Sequence, residues 1–273
     1  MEKTGAIKFE HISFGKKLKS MLSVDFRRMF TTPLFYIMVG IALVIPILVL
    51  VMTTSVGGTT SVHPVTGVET VTEMEPMTNT WQVVESISGE SAGMSSDIMS
   101  MCNINLLFFL AAVFVCIFIA DDFRSGYAKN LFAVRSRKSD YVISKSLVGF
   151  IGGACMLLAY FIGAIVGGSI AGLSFDAGTA GVSGIVMCLL SKIFLMAVFV
   201  SIFVLMSTVG KQKLWLSMIG SLAVGLLLFM MVPSMTPLDS TIMNVILCLA
   251  GGALISVGLG AVGNSILQKT SLV

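Results

Sequence analysis

Six long apolar runs alternate with polar segments along this chain, at residues 34–52, 98–120, 146–173, 185–209, 214–232 and 241–267. Each can cross a hydrocarbon layer of about 30 Å, which takes roughly 20 helical residues at about 1.5 Å apiece. One of the six holds a charged residue, Lys192 in the fourth. The pattern predicts an all-α integral membrane protein with six transmembrane helices. Runs five and six are separated only by residues 233–240, so a re-entrant arrangement is the alternative there.

The intervening segments carry their own patterns. Ahead of run one, Phe14, Leu18, Met21, Leu22, Phe26 and Met29 recur at helical spacing, while Lys16, Lys17, Lys19 and Arg27 fall on other faces. This predicts an N-terminal amphipathic interfacial helix, with its apolar stripe at the headgroup boundary and its bases against anionic lipid. An ordinary juxtamembrane segment is the alternative. Pro33 permits a sharp turn into the membrane. Residues 53–97 form the longest polar stretch, with six acids and no base. Within it Thr66 and Gly67 suit the turn of a small hairpin, and Trp81, Val84 and Ile87 fit one apolar helix face. The stretch is either an outer cap over a translocation path or a solvated loop.

Composition and charge agree with a bilayer environment and set an orientation. The chain has 273 residues, 56% hydrophobic and 11% charged, with a mean hydropathy of +0.98, which is too apolar for a soluble domain of this size. Sixteen of its 17 bases flank runs on one side, and eight of its 14 acids fall on the other. The positive-inside rule then places both termini in the cytoplasm. Residues 1–33 form a cytoplasmic N-terminal segment and 34–273 the transmembrane domain, with extracellular loop 53–97 and cytoplasmic loop 121–145. Run one reads as a retained span, not a removed signal peptide. The net charge of +3 is spread along a membrane face, so no nucleic-acid partner is implied.

Small residues at four-residue spacing mark close helix packing, within one subunit or between two: Gly149/Gly153, Gly163/Gly167 and Gly168/Gly172 in run three, Ser221/Gly225 in run five, and Gly252, Ser256 and Gly260 in run six. Pro46 predicts a kink in run one. Cys102, Cys116, Cys155, Cys188 and Cys248 lie in the runs without C-x-x-C spacing and read as packing residues. Lys192 sits about 10 Å inside run four. It is expected to snorkel toward the nearer surface; the alternative is a cavity-facing charge that meets cargo or the acidic loop, as part of a translocation path.

No P-loop, H-E-x-x-H or G-x-S-x-G motif occurs, and the six runs contain no carboxylate. No catalytic, metal or cofactor site is therefore expected on this chain, and it lacks an energy-coupling device of its own.

The charged stretch ADDFRSGYAKNLFAVRSRKSDY (120–141) joins runs two and three. Ser125 and Gly126 permit a bend, and residues 127–134 form a short helix candidate with Tyr127, Leu131 and Val134 on one face and Lys129, Phe132 and Arg135 on others. Phe132 flanked by bases could plug an acidic cleft on another protein, whereas the plain alternative is a loop that only sets topology. The order of amphipathic helix, DFRRMFTTPLFYI at run one, and FIADDFRSGYAKNLFAVRSRKSDYVISKSL after run two resembles the permease subunit of bacterial ABC-2 type ABC transporters, most closely the branch that exports peptides, bacteriocins and drugs. The motif residues are Asp122, Gly126, Lys129 and Asn130, followed by Arg137, Tyr141 and Lys145.

The resemblance implies a multi-pass subunit of the bacterial cell membrane. Two permeases, identical or homologous, would pair with two copies of a separate ABC ATPase subunit that holds ATP and magnesium. Loop 121–145 would be the coupling loop: Phe132, Arg135 and Arg137 docking the ATPase, Asp121 and Asp122 anchoring to the basic N-terminal helix, with Arg124, Gly126, Tyr127, Lys129 and Asn130 completing it. Relatives commonly carry their prominent outer segment between spans five and six; here it lies between one and two. The rivals are a secondary carrier or channel, or a membrane scaffold, working without an ATPase.

Overall fold

The computed structural model describes residues 14–55, 59–62, 69–72, 77–85, 103–134, 138–211 and 213–269. The chain forms helices α1 (Phe14–Thr31), α2 (Pro33–Ser55), α3 (Leu106–Arg124), α4 (Tyr127–Val134), α5 (Ser139–Ala171), α6 (Gly181–Gly210), α7 (Leu214–Phe229), α8 (Val232–Met235) and α9 (Ile242–Lys269). Among the described residues five helices are long and apolar enough to cross a membrane: α2, α3, α5, α6 and α9. Helix α7 has 16 residues, about 24 Å of rise, and is shorter than run five predicts. Met230 and Met231 turn the chain into α8, and Pro233 falls in its first turn, where a missing N–H costs nothing.

The surface is apolar as well as the core, as an apolar solvent permits. Leu227, Leu254 and Val257 are each about three-quarters exposed, and helices in lipid gain nothing by hiding such side chains. Helices α5 and α6 form the centre: α5 touches α1, α2, α3, α6 and α9, and α6 touches α3, α5, α7 and α9. Glycine makes these contacts close. A Cβ at Gly153 would lie 2.7 Å from Met196 Cγ, and one at Gly152 2.7 Å from the Phe114 ring. Farther along α5, Gly163 lies against the Leu43 carbonyl and the Pro46 ring, and a Cβ at Gly167 would be 2.8 Å from Ile47 Cα. Five of the six glycines named in run three thus pack within the chain, and Gly172 has nothing within 4 Å of where its Cβ would stand. Helix α2 runs unbroken through Pro46, and α5 nests against that turn.

Several expected boundaries shift. Helix α3 starts at Leu106 rather than 98, because the Asn103 side chain accepts from Asn105 N (3.0 Å) and fixes a turn there. Helix α5 begins seven residues before run three, since Asp140, Tyr141, Ser144 and Lys145 are all buried by partners. The apolar stripe of α1 faces protein: Met21, Asp25 and Met29, four residues apart, are buried where α1 packs on α5. Lys16, Lys19 and Arg27 stay exposed on the opposite face.

The ends of α3, α6 and α9 and the start of α5 gather at one end of the bundle, with α1 and α4. Lys138 Nζ donates to the Leu267 carbonyl (2.6 Å), and Gly263 adjoins Val142 and Thr208. This is the basic end. The expected hairpin exists as strands β1 (Thr59–Val62) and β2 (Glu69–Thr72), antiparallel with Thr60 opposite Val71. Its turn at Thr66 and Gly67 lies outside the described residues, as do Ile87 and Cys102.

Candidate functional site

Two buried charge networks stand at opposite ends of the bundle. At the basic end, α1 contributes Asp25 and Arg28, α3 contributes Asp122, and α5 contributes Tyr141, Ser144 and Lys145. Lys145 Nζ lies 2.8 Å from Asp25 Oδ1 and 2.7 Å from Asp122 Oδ2. Arg28 Nη1 pairs with Asp122 Oδ1. Ser144 Oγ donates to Asp25 Oδ2 (2.6 Å), and Tyr141 OH donates to Asp122 Oδ2 (3.0 Å). Two acids and two bases therefore close a neutral ring, which is how a membrane protein tolerates buried charge. Burial alone would lower the pKa of Arg28, but the carboxylates of Asp122 and Asp25 outweigh it and raise the value above the ordinary one.

Aromatic rings complete this centre and carry it into the loop. The Phe118 ring centroid lies 4.3 Å from Lys145 Nζ, and that of Tyr127 4.8 Å from Arg28 Cζ. Gly126, at φ +76°, makes the left-handed step between α3 and α4 that a Cβ would oppose. Ala128 is fully buried, while Lys129 and Asn130 face outward, as do Asp121 and Arg124. Of the two acids expected to anchor the loop to α1, Asp122 does so and Asp121 is exposed. Phe132 is half-buried: its ring meets Tyr141 edge-on at 5.2 Å, and Lys138 Nζ lies 5.4 Å from its centroid. Arg135 and Arg137 lie outside the described residues.

The second network surrounds Lys192, which is fully buried and does not snorkel. All three ammonium donors are used, on Glu85 Oε2 (2.8 Å), Asn105 Oδ1 (2.7 Å) and Thr236 Oγ1 (3.0 Å). Asn105 Nδ2 also donates to Glu85 Oε2 (2.7 Å). Glu85 lies on a strap, described over residues 77–85, that enters the bundle from the acidic segment. A helical turn at Thr80–Val83 starts it, with Asn79 and Gln82 capping each other. Thr80 N donates to Ser174 O (3.0 Å), Ile104 N donates to Val83 O (3.0 Å), and Trp81 stacks on Phe161 at 5.6 Å. Of the alternative reading of Lys192, a cavity-facing charge that meets cargo or the acidic loop, the contact with the acidic segment is present, through Glu85.

No family model, curated protein or solved structure matches the chain.

Sequence reasoning missed Asp25, Glu85, Asn105 and Thr236. Asp25 had a signal, because it interrupts the Met21/Met29 stripe with an acid on the apolar face. Glu85 had a weaker one, closing the WQVV run. Asn105 and Thr236 had none, since they become partners only when α3 and α8 meet α6. Among the described residues no cluster of three His, Cys, Asp or Glu could hold a metal; both networks pair each carboxylate with a base and so act as neutral clasps between elements.

Proposed function

We propose that the chain is the six-span permease subunit of an ATP-driven exporter in a bacterial cell membrane. In this reading α7 is the fifth span, the basic end is cytoplasmic, and two permeases pair with two copies of an ABC ATPase that holds ATP and magnesium. Peptides, bacteriocins and drugs are the cargo classes. One observation carries the reading: α4 offers Lys129 and Asn130 outward while Arg28, Asp122 and Lys145 tie its base to α1, α3 and α5. A push on α4 then reaches α5 through rigid, desolvated contacts rather than a slack loop.

The test is purification from native membranes with ATP hydrolysis as readout. An ATPase activity is expected to co-migrate with the chain, and Lys129→Glu with Arg135→Glu to remove it while the chain stays monodisperse. An unchanged association, or transport by the chain alone without ATP, overturns the proposal. The second reading, a secondary carrier or channel, draws support from the buried Lys192–Glu85 pair, the kind of ionisable group such proteins use.

A further inference from the structure

Lys192 lies 11 residues into α6, about 16 Å along the helix. A desolvated ammonium at that depth must keep a carboxylate beside it, because an unpaired one costs several kcal/mol. The positive member is built into the most enclosed helix of the bundle. The negative member, Glu85, comes from outside the spans, on the strap that also buries Val83 and Val84. The other two ligands, the Asn105 amide and the Thr236 hydroxyl, are neutral and come from α3's start and α8's end. Asn105 Nδ2 would donate to a carboxylate in Glu85's place as it does to Glu85 Oε2, while Thr236 holds Lys192 itself.

We infer that Lys192 heads a carboxylate-binding site at the acidic end of the bundle, which the chain's own Glu85 keeps occupied and from which a carboxylate of the transported molecule displaces it. The inference rests on the transporter reading for its cargo, but not for the site. Glu85 is a tethered ligand, so its high effective concentration holds the strap shut until a competing carboxylate comes with further contacts of its own. When the strap lifts, the charge on Lys192 never stands alone. A cargo without a carboxylate would have to lift the strap against the full cost of an unpaired ammonium.

The test is chemical rescue on the full chain in nanodiscs, in a Trp215→Phe background that leaves Trp81 as the remaining tryptophan of two. Glu85→Ala is expected to lower the thermal midpoint and to raise acrylamide quenching of Trp81 severalfold. Sodium acetate should reverse both saturably, because a ligand of the native state stabilises by mass action. Sodium chloride and acetamide should not. Acetate should also leave unchanged the chain that keeps Glu85, and the Glu85→Ala/Lys192→Met variant. Should Glu85→Ala fail to fold, Glu85→Gln with Asn105→Asp supplies the carboxylate from α3, where residue 105 already reaches Lys192. That variant should fold without acetate and gain nothing from it. Acetate acting no better than chloride, acting equally without Lys192, or still stabilising the Asn105→Asp variant, overturns the inference. A failed rescue with ATPase association intact removes this site alone; rescue without an ATPase removes the exporter and leaves the site.

Discussion

At the scale of single residues, the glycines of α5 show how position decides what the same side chain is worth. Gly163 touches the Leu43 carbonyl and Pro46, while Gly260 on α9 has nothing within 4 Å of where a Cβ would stand. Pro46 has no N–H, so the Ala42 carbonyl one turn before it loses its helical partner, and α5 comes close only because its own backbone is bare there. Gly163→Val is expected to lower stability by about 1–3 kcal/mol, in the range of overpacked cores, since a backbone carbonyl cannot step aside. Gly260→Val should shift the detergent melting midpoint by little. Equal shifts for the two would remove the packing explanation.

At the scale of elements, α1 behaves as part of the bundle. Its buried face carries Asp25 and Arg28 to Lys145 and Asp122, so these three elements hold one another's charges. Asp25→Ala would leave Asp122 alone against two bases, Lys145 and Arg28. Removing one partner of a buried pair costs about 3–5 kcal/mol, because it leaves a buried charge unmatched. The Asp25→Ala chain is therefore expected to lose its monodisperse size-exclusion peak, and Asp25→Ala with Arg28→Met, which restores one acid to one base, to regain much of it. An Asp25→Ala chain as stable as the unaltered one would mean that α1 is a mere lipid-facing appendage.

At the scale of the whole molecule, the distribution of charge gives a topology that labelling can read. Lys16, Lys129 and Lys213 are exposed at the basic end, and Asn79 stands with Asp176 at the other, its Nδ2 donating to the Asp176 carbonyl (2.6 Å). In a cysteine-free background, cysteines at 16, 129 and 213 should resist a membrane-impermeant maleimide in intact cells and react after permeabilisation. Cysteine at 176 should react in intact cells. Reaction at 129 from outside would invert the molecule and end the coupling argument for α4.

The membrane class, the helical character, the amphipathic N-terminal helix, the hairpin and the short helix after run two were all legible along the chain, because each is a local pattern: apolar length, helical period, turn residues and the side on which bases collect. So was the anchoring role of Asp122, through its place in the charged stretch. Which residues face which partners was decided in three dimensions. The stripe of α1 could equally have met lipid or protein, and its burial on α5 turned Asp25 from an interfacial acid into half of an ion pair. Lys192 could have snorkelled, and only the strap's return to α6 gave it Glu85. Periodicity records that a side chain must leave water; the identity of the group that replaces water is a property of the packed bundle.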